Sequence, residues 1–382
     1  MIPSVISRLG RFVEQDGWRG WDPYDALNSP FLRYITFDKK WLRIAAIHFL
    51  KRTPYNVRPL FGIPKLRHPK ALGLLARAYI VQYKKTKNET YLKNALRALD
   101  WLESNSIQCS GHAWGHNFDW QSSLFYVTQH VPTVVNTAFI AHAFLDAYEL
   151  TSKEHYLSVA RSSCDFILRG LNRSEQDGSI CFSYTPIDQT HIHNANVLAA
   201  ELLARIFALT KEESLHAEAT KSLTFTLQHQ NPDGSWFYGI GPGLDYIDSF
   251  HTGFVLVSMH NAFDHLRLLN DDNKQHLMSG YQYYKKTFFN SNGMPHYASD
   301  RVYPIDLHAT AQGIITCVAF KDHDSNALSM ARTLADWAIE NMWDEAKGYF
   351  YFQKTKWYTN KIPYLRWPNA WMYYALVLLA QR

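Results

Sequence analysis

Glycine followed by aromatic residues returns five times along this chain, each time ahead of a polar residue and a long apolar stretch. The turn glycines are Gly111, Gly178, Gly234, Gly293 and Gly348, and from Gly178 onward they are spaced by 56, 59 and 55 residues. Such a period marks stacked helical hairpins, since one hairpin cannot bury its apolar face without its neighbours. It also sets the polar residues before each apolar helix at one common end of the molecule, which is where function is to be sought.

Two kinds of helix alternate. Amphipathic stripes such as Leu157, Ala160, Cys164, Ile167, Leu168 and Leu171 predict outer helices, with similar stripes over 89–104, 213–230, 275–290 and 325–342 and a weaker one over 39–51. Segments apolar on nearly every side, such as Val197 to Ala204, predict buried inner helices over 69–83, 133–148, 194–209, 250–266, 307–320 and 368–380. Six inner and six outer helices make an all-α fold, an (α/α)6 toroid around a central cavity, occupying 38–382 as one domain. Turns such as Asp177-Gly178, Asp233-Gly234 and Lys347-Gly348 lead into β-prone aromatics and should open short hairpin-like extended segments. Residues 1–37, with Trp18, Trp21, Pro23 and Pro30 and no helical period, read as an extended N-terminal arm.

An apolar fraction of 47% with 15% aromatics suits a well-packed globular protein, and no apolar run approaches the ~20 residues that span a bilayer. The start of the chain lacks a basic region followed by an unbroken hydrophobic core, so no secretory signal is expected and a cytoplasmic location is the default. Cys109, Cys164, Cys181 and Cys317 are scattered and read as buried small hydrophobes. Charge is uneven: sixteen Lys and Arg lie between Arg33 and Arg97, opposed only by Asp38 and Glu89. Either these are solvated helix faces or they form a positive surface for an anionic polymer or a membrane surface. No nucleic-acid module accompanies them, so an acidic polysaccharide is the favoured partner; a homodimer is compatible with the sequence.

The residues ahead of the inner helices carry the candidate chemistry. They are His112, His116 and Asp119; Tyr184, His191, His193 and Asn194; Asp245, Tyr246, Asp248 and His251; His296, Tyr297, Arg301, Tyr303, Asp306 and His308; and Tyr358, Tyr364, Arg366 and Asn369. Helix capping would explain Asn194, Asp306 and Asn369. His191-x-His193 and His112-x3-His116 have no accompanying carboxylate motif, so no metal is expected. No nucleophile elbow, P-loop or dinucleotide fingerprint is present, so no cofactor is expected either. Gln230-Asn231-Pro232-Asp233-Gly234-Ser235-Trp236 resembles the Q-x-x-x-G-x-W repeat of triterpene cyclases, without their D-x-D-D proton donor, and reads as turn architecture.

Two segments, Asp245-Tyr246-Ile247-Asp248-Ser249-Phe250-His251-Thr252-Gly253-Phe254 and Arg301-Val302-Tyr303-Pro304-Ile305-Asp306-Leu307-His308, resemble the catalytic (α/α) domain of D-glucuronyl C5-epimerases. Tyr364 to Tyr374 is similar to the terminus of bacterial members. The resemblance covers roughly 230–380, with Asp245 where the family has Glu. It implies conversion of glucuronate to iduronate within heparosan-type chains. Inverting C5 needs two acid/base groups on opposite faces of the sugar, and donors aimed at the carboxylate where charge grows. On that basis Tyr246 and Tyr303 are expected on the two faces, with Tyr297, Asp245, Asp248 or His251 tuning or relaying. Arg301 and Arg366 are expected as carboxylate clamps, with His308, Tyr238, His193 and Asn194 also facing substrate. A uronate lyase, a hydrolase with paired carboxylates and a non-catalytic glycan binder are the competing readings.

Overall fold

Helices that are apolar all round must be walled in, and the fold does this with two concentric rings. The computed structural model describes residues 1–382. Its helices are α1 (Ile2–Glu14), α2 (Pro30–Ile35), α3 (Lys40–Arg52), α4 (Pro69–Thr86), α5 (Glu89–Ser104), α6 (Val134–Thr151), α7 (Glu154–Asp165), α8 (His193–Thr210), α9 (Glu213–Gln228), α10 (Ser249–Leu266), α11 (Asp271–Phe288), α12 (Leu307–Ala319), α13 (Ala327–Met342) and α14 (Trp371–Leu379). The even-numbered helices from α4 to α14 form the inner ring, each touching the next, and α14 returns to α4 to close it. In α6 every residue from Val134 to Leu145 is buried. Outside them lie α5, α7, α9, α11, α13 and α1, each against its inner partner. The expected (α/α)6 toroid is the observed fold.

The sixth outer helix is not where the sequence placed it. Residues 1–37 are not an extended arm: Ile2–Glu14 is a helix burying Val5, Ile6, Leu9, Gly10 and Val13 and packed on α14. Pro3 falls in its first turn, where the missing N–H costs nothing. Gly10 lets the ring of Tyr373 come close, since a Cβ there would lie 3.3 Å from the Tyr373 hydroxyl. The 39–51 stripe, expected as an outer helix, instead becomes α3. It packs on a 3-10 turn at Asp25–Asn28 and on Trp120–Gln121, around a six-residue satellite core of Ala26, Leu27, Leu32, Ile47, Leu50 and Ile63. Its stripe is too narrow to bury against an inner helix and suffices for this small core.

All five turn glycines have positive φ, and three of them, Gly111, Gly234 and Gly293, also press on an outer helix. Gly111, at φ 149°, leans on α7, where a Cβ would lie 1.9 Å from the Ser162 carbonyl oxygen. Gly293, at φ 86°, leans likewise on α13, 2.5 Å from the carbonyl of Thr333. Gly348 faces Arg8 of α1 more loosely, with room for a Cβ at 3.5 Å from the Arg8 carbonyl oxygen, and its φ of 75° is what asks for glycine. Short antiparallel pairs follow Gly178 (173–176 with 179–182) and Gly348 (343–344 with 349–350). In the Gln230–Trp236 turn, Gln230 Nε2 donates to the carbonyls of Gly234 and His276 at 2.8 and 2.9 Å, and Trp236 Nε1 to that of Thr226 at 2.8 Å. Architecture is what that motif encodes here. The four cysteines are free, three of them buried, and no helix is long and apolar enough to cross a membrane.

Candidate active site

Five inner helices begin at one mouth of the toroid, and most are capped by side chains. His68 Nδ1, Thr133 Oγ1, Asp248 Oδ1 and Asp306 Oδ1 accept from first-turn N–H groups of α4, α6, α10 and α12 at 2.9–3.1 Å. The capped ends surround a bowl of about 310 Å³. Its walls are aromatic: Tyr24, Phe118, Trp120, Tyr184, Tyr238, Tyr246, Phe250, Tyr297 and Trp367. Its polar groups are Lys70, His116, Asn136, Asn194, Asp248, His251, Arg301, His308 and Arg366.

The polar groups of the floor lack partners. Both side-chain polar atoms of Asn136, Oδ1 of Asn194 and both ring nitrogens of His308 are buried without a hydrogen bond. His308 is clasped by aromatic rings, with Phe250 stacked at 4.7 Å and Trp367 and Trp371 at 4.7 and 4.5 Å. Burial, then Lys70 and Arg366, holds its pKa well below the ordinary imidazole range, so it is neutral. A folded protein rarely tolerates such a cluster, since each unsatisfied buried group costs about 1–3 kcal/mol. These groups can be satisfied only from the cavity, by solvent or by a polar ligand.

One histidine is set for proton transfer. Asp248 caps α10 through Oδ1 and holds His251 Nδ1 through Oδ2 at 2.6 Å, leaving Nε2 free of any protein hydrogen bond. A carboxylate so placed fixes the tautomer and ring orientation. Beside it Tyr238 lies 4.5 Å from the imidazole and stacks on Tyr246 at 4.9 Å. Burial above all raises the pKa of Tyr238, Tyr246 and Tyr297, so all three phenols keep their protons at neutral pH.

The bowl thus gathers Tyr246, Tyr297, His251, Asp248, His308, Tyr238, Asn194 and Arg301, with Arg301 5.5 Å from the Tyr297 ring. Other expected site residues lie elsewhere. Asp245 is exposed, does not line the bowl and makes no side-chain hydrogen bond. Tyr303 lies in an adjoining groove with Arg52, Trp357 and Tyr358 that shares Tyr297 and Arg301 with the bowl. It therefore does not stand across the bowl from Tyr246. Arg366 lines the bowl, but Nε and Nη2 are committed to Asp22 at 2.6 and 2.8 Å, so it is only in part a free clamp. His193 turns behind the wall toward Phe225 and His229, and burial lowers its pKa to about 3. Asn194 caps nothing, whereas Asp306 caps α12 and binds Gln353 and Trp367, and Asn369 serves the backbone of Phe350 and Tyr364.

Sequence reading missed Lys70 and Asn136. Both stand at inner-helix starts, Lys70 in His68-Pro69-Lys70, one unit before Gly111, and Asn136 in Thr133-Val134-Val135-Asn136, inside the Gly111 unit but within the apolar stretch and not ahead of it. Lys70 was read as part of the basic stretch, and that stretch is less a surface than expected. Arg58 is wholly buried on Asp25 at 2.7 Å, Arg77 is held by Asp146 at 2.8 Å and Arg33 by Asp119 at 2.5 Å. No cluster of three or more His, Cys, Asp or Glu is disposed to hold a metal ion.

Similarity searches place the architecture. The chain is an (α/α)6 toroid of the kind found in sugar-acting enzymes of known structure. Cellobiose 2-epimerase from Bacillus thermoamylovorans superposes with a TM-score of 0.65 at 13% identity, covering 84% of this chain and 90% of that one. A D-mannose isomerase gives 0.63 at 14% identity over 83% and 87%. An unsaturated glucuronyl hydrolase specific for heparin gives 0.64 at 11% identity over 100% and 96%. No protein-family model matches the sequence, and neither does any curated protein.

Proposed function

We propose that this protein is a carbohydrate epimerase acting on uronate sugars, and specifically that it inverts C5 of glucuronate within a heparosan-type chain. The observation that carries the reading is the floor of unpartnered polar atoms between aromatic walls. Hydroxyls satisfy the first and sugar faces stack on the second. Charge selects among sugars: the guanidinium groups of Arg301 and Arg366 and the basic amine of Lys70 line the bowl against one carboxylate, Asp248, and five inner-helix N-termini point their positive ends at it. An acidic sugar fits that field. The resemblance of 245–254 and 301–308 to glucuronyl C5-epimerases supports the same substrate, as do the sugar-acting neighbours in fold.

In this reading His251 Nε2 takes the proton from C5, and the C–H electron pair passes into the carboxylate as an enolate. The cations and helix ends stabilise the added charge. A protonated phenol, Tyr246 or Tyr297, then gives a proton to the other face, and the imidazolium and phenolate reset with solvent. Hydrolysis by a carboxylate pair is disfavoured, because the only lining carboxylate, Asp248, is already engaged by His251 and its own helix.

Incubating the protein with heparosan in deuterated water tests this. Deuterium at C5 with intact chains and new iduronate is the expected result. An ultraviolet-absorbing double bond with chain cleavage would make it a lyase, and binding without label would make it a glycan-binding protein.

A further inference from the structure

The bowl holds an amine with no partner. Lys70 enters from the first turn of α4 and is 4% exposed. Its Nζ lies 4.4, 5.1 and 5.3 Å from the ring centroids of Phe139, Trp371 and Phe254, and makes neither a hydrogen bond nor an ion pair. The charged and titratable groups around it are almost all basic: Arg366 before α14, His68 capping α4, His116 bonded to His68 at 3.0 Å, and His308 on α12. The one acid in range, Asp22, is held bidentately by Arg366. Burial, then Arg366, brings the amine well below the ordinary lysine range, and the three neighbouring histidines are likewise held neutral. The free protein therefore keeps a concentration of uncharged bases at the floor of a cavity.

We propose that Lys70 is the carboxylate receptor of the bowl and that it takes up a proton from solvent as an acidic sugar binds. The inference rests on the uronate reading above and adds how the acid group is recognised. A carboxylate beside Nζ favours the ammonium form, and three aromatic faces favour it further. A neutral sugar in the same place brings no charge, and the amine stays as it is. Selection for uronates over the parent aldoses then follows from proton linkage. Because binding takes up a proton, affinity falls as pH rises through the range where the free amine is neutral and the bound one charged. The slope there approaches tenfold per pH unit for one proton.

Isothermal titration with a heparosan hexasaccharide, run near pH 8 in two buffers of different ionisation enthalpy, reads the proton directly. The wild-type protein is expected to take up about one proton per chain bound. The hexasaccharide with its carboxyls reduced to alcohols should bind with none. Lys70→Met should lose the uptake and at least tenfold in affinity. Lys70→Arg, charged in both states, should keep most of the affinity and still show no uptake, which separates recognition from a folding defect. Absence of uptake in the wild type, or full uptake in Lys70→Met, overturns the proposal. Failure of the wild type to bind the hexasaccharide at all overturns the uronate reading together with it. C5 labelling without proton uptake removes Lys70 and leaves the epimerase; uptake without labelling does the reverse.

Discussion

The two mouths of the toroid are built from the same six inner helices and treat polar groups in opposite ways. At the far mouth, charges are paired: Arg77 with Asp146 at 2.8 Å, Arg205 with Asp146 and Glu149 at 2.6 and 2.8 Å, and Asn261 with Glu201 at 2.7 Å. Burial pushes Asp146 upward, but Arg77 and Arg205 outweigh it and hold the carboxyl below its usual range. Of that network only His142 Nε2 is buried without a partner. At the bowl, by contrast, Asn136, Asn194 and His308 are all left unsatisfied. Paired groups stabilise the ring; unpaired ones wait for a ligand. The difference marks the bowl as the end with polar groups open to a ligand, without any appeal to relatives.

If that division is right, mutations at the two ends should separate activity from stability. His251→Gln should lower C5 exchange by about 10²–10⁴-fold, the usual worth of general base catalysis, with a melting temperature close to wild type. Asp146→Ala, at the other mouth, should reverse the pattern. Stranding Arg77 and leaving Arg205 with Glu149 alone costs about 3–5 kcal/mol in denaturant unfolding, while exchange per folded molecule is retained. Equal loss of activity in both variants would erase the distinction.

Acid provides a milder test. His68, His116, His142, His193 and His308 are all buried with lowered pKa values. The unfolded chain takes up protons below its imidazole pKa of ~6.5, and the folded one does not. Stability should therefore be independent of these groups above that pH and fall below it. Each contributes up to about 1.4 kcal/mol per pH unit, seen as a declining melting temperature between pH 7 and 5. A flat profile would mean that these rings are charged in the native state. The smallest effect expected is for Tyr303→Phe, which should change exchange by less than about twofold because its hydroxyl lies outside the bowl. A loss comparable to His251→Gln would bring the adjoining groove into the reaction.

The repeat made most of the fold legible, because a helix apolar on all sides has few places to go. Five of six outer helices and all six inner ones were readable within a few residues. The exchange of α1 for α3 was not, because Pro3 and Gly10 disguise a good stripe and aromatic residues such as Trp41 and Phe49 lend α3 a false one. Position in the repeat also located Tyr246, Asp248, His251, Tyr297, Arg301 and His308. What it could not supply was direction. Whether Asp245 or Tyr246 turns inward depends on one residue of loop register, and whether Arg366 is free depends on Asp22, far away in the chain. Lys70 looked like surface because a lysine among lysines carries no mark of burial.

The ring has a seam. Every outer helix from α5 to α13 follows its inner partner directly, whereas α1 precedes the whole inner ring and packs on α14, the last helix of that ring. Val5, Leu9 and Val13 are buried on that side, so closure of the ring depends on contacts between residues far apart in the chain. The bowl needs both sides of that seam, since Arg366 leads into α14 while the Asp22 that holds it follows α1. That one ion pair therefore ties the first and last segments of the ring together at the wall of the bowl.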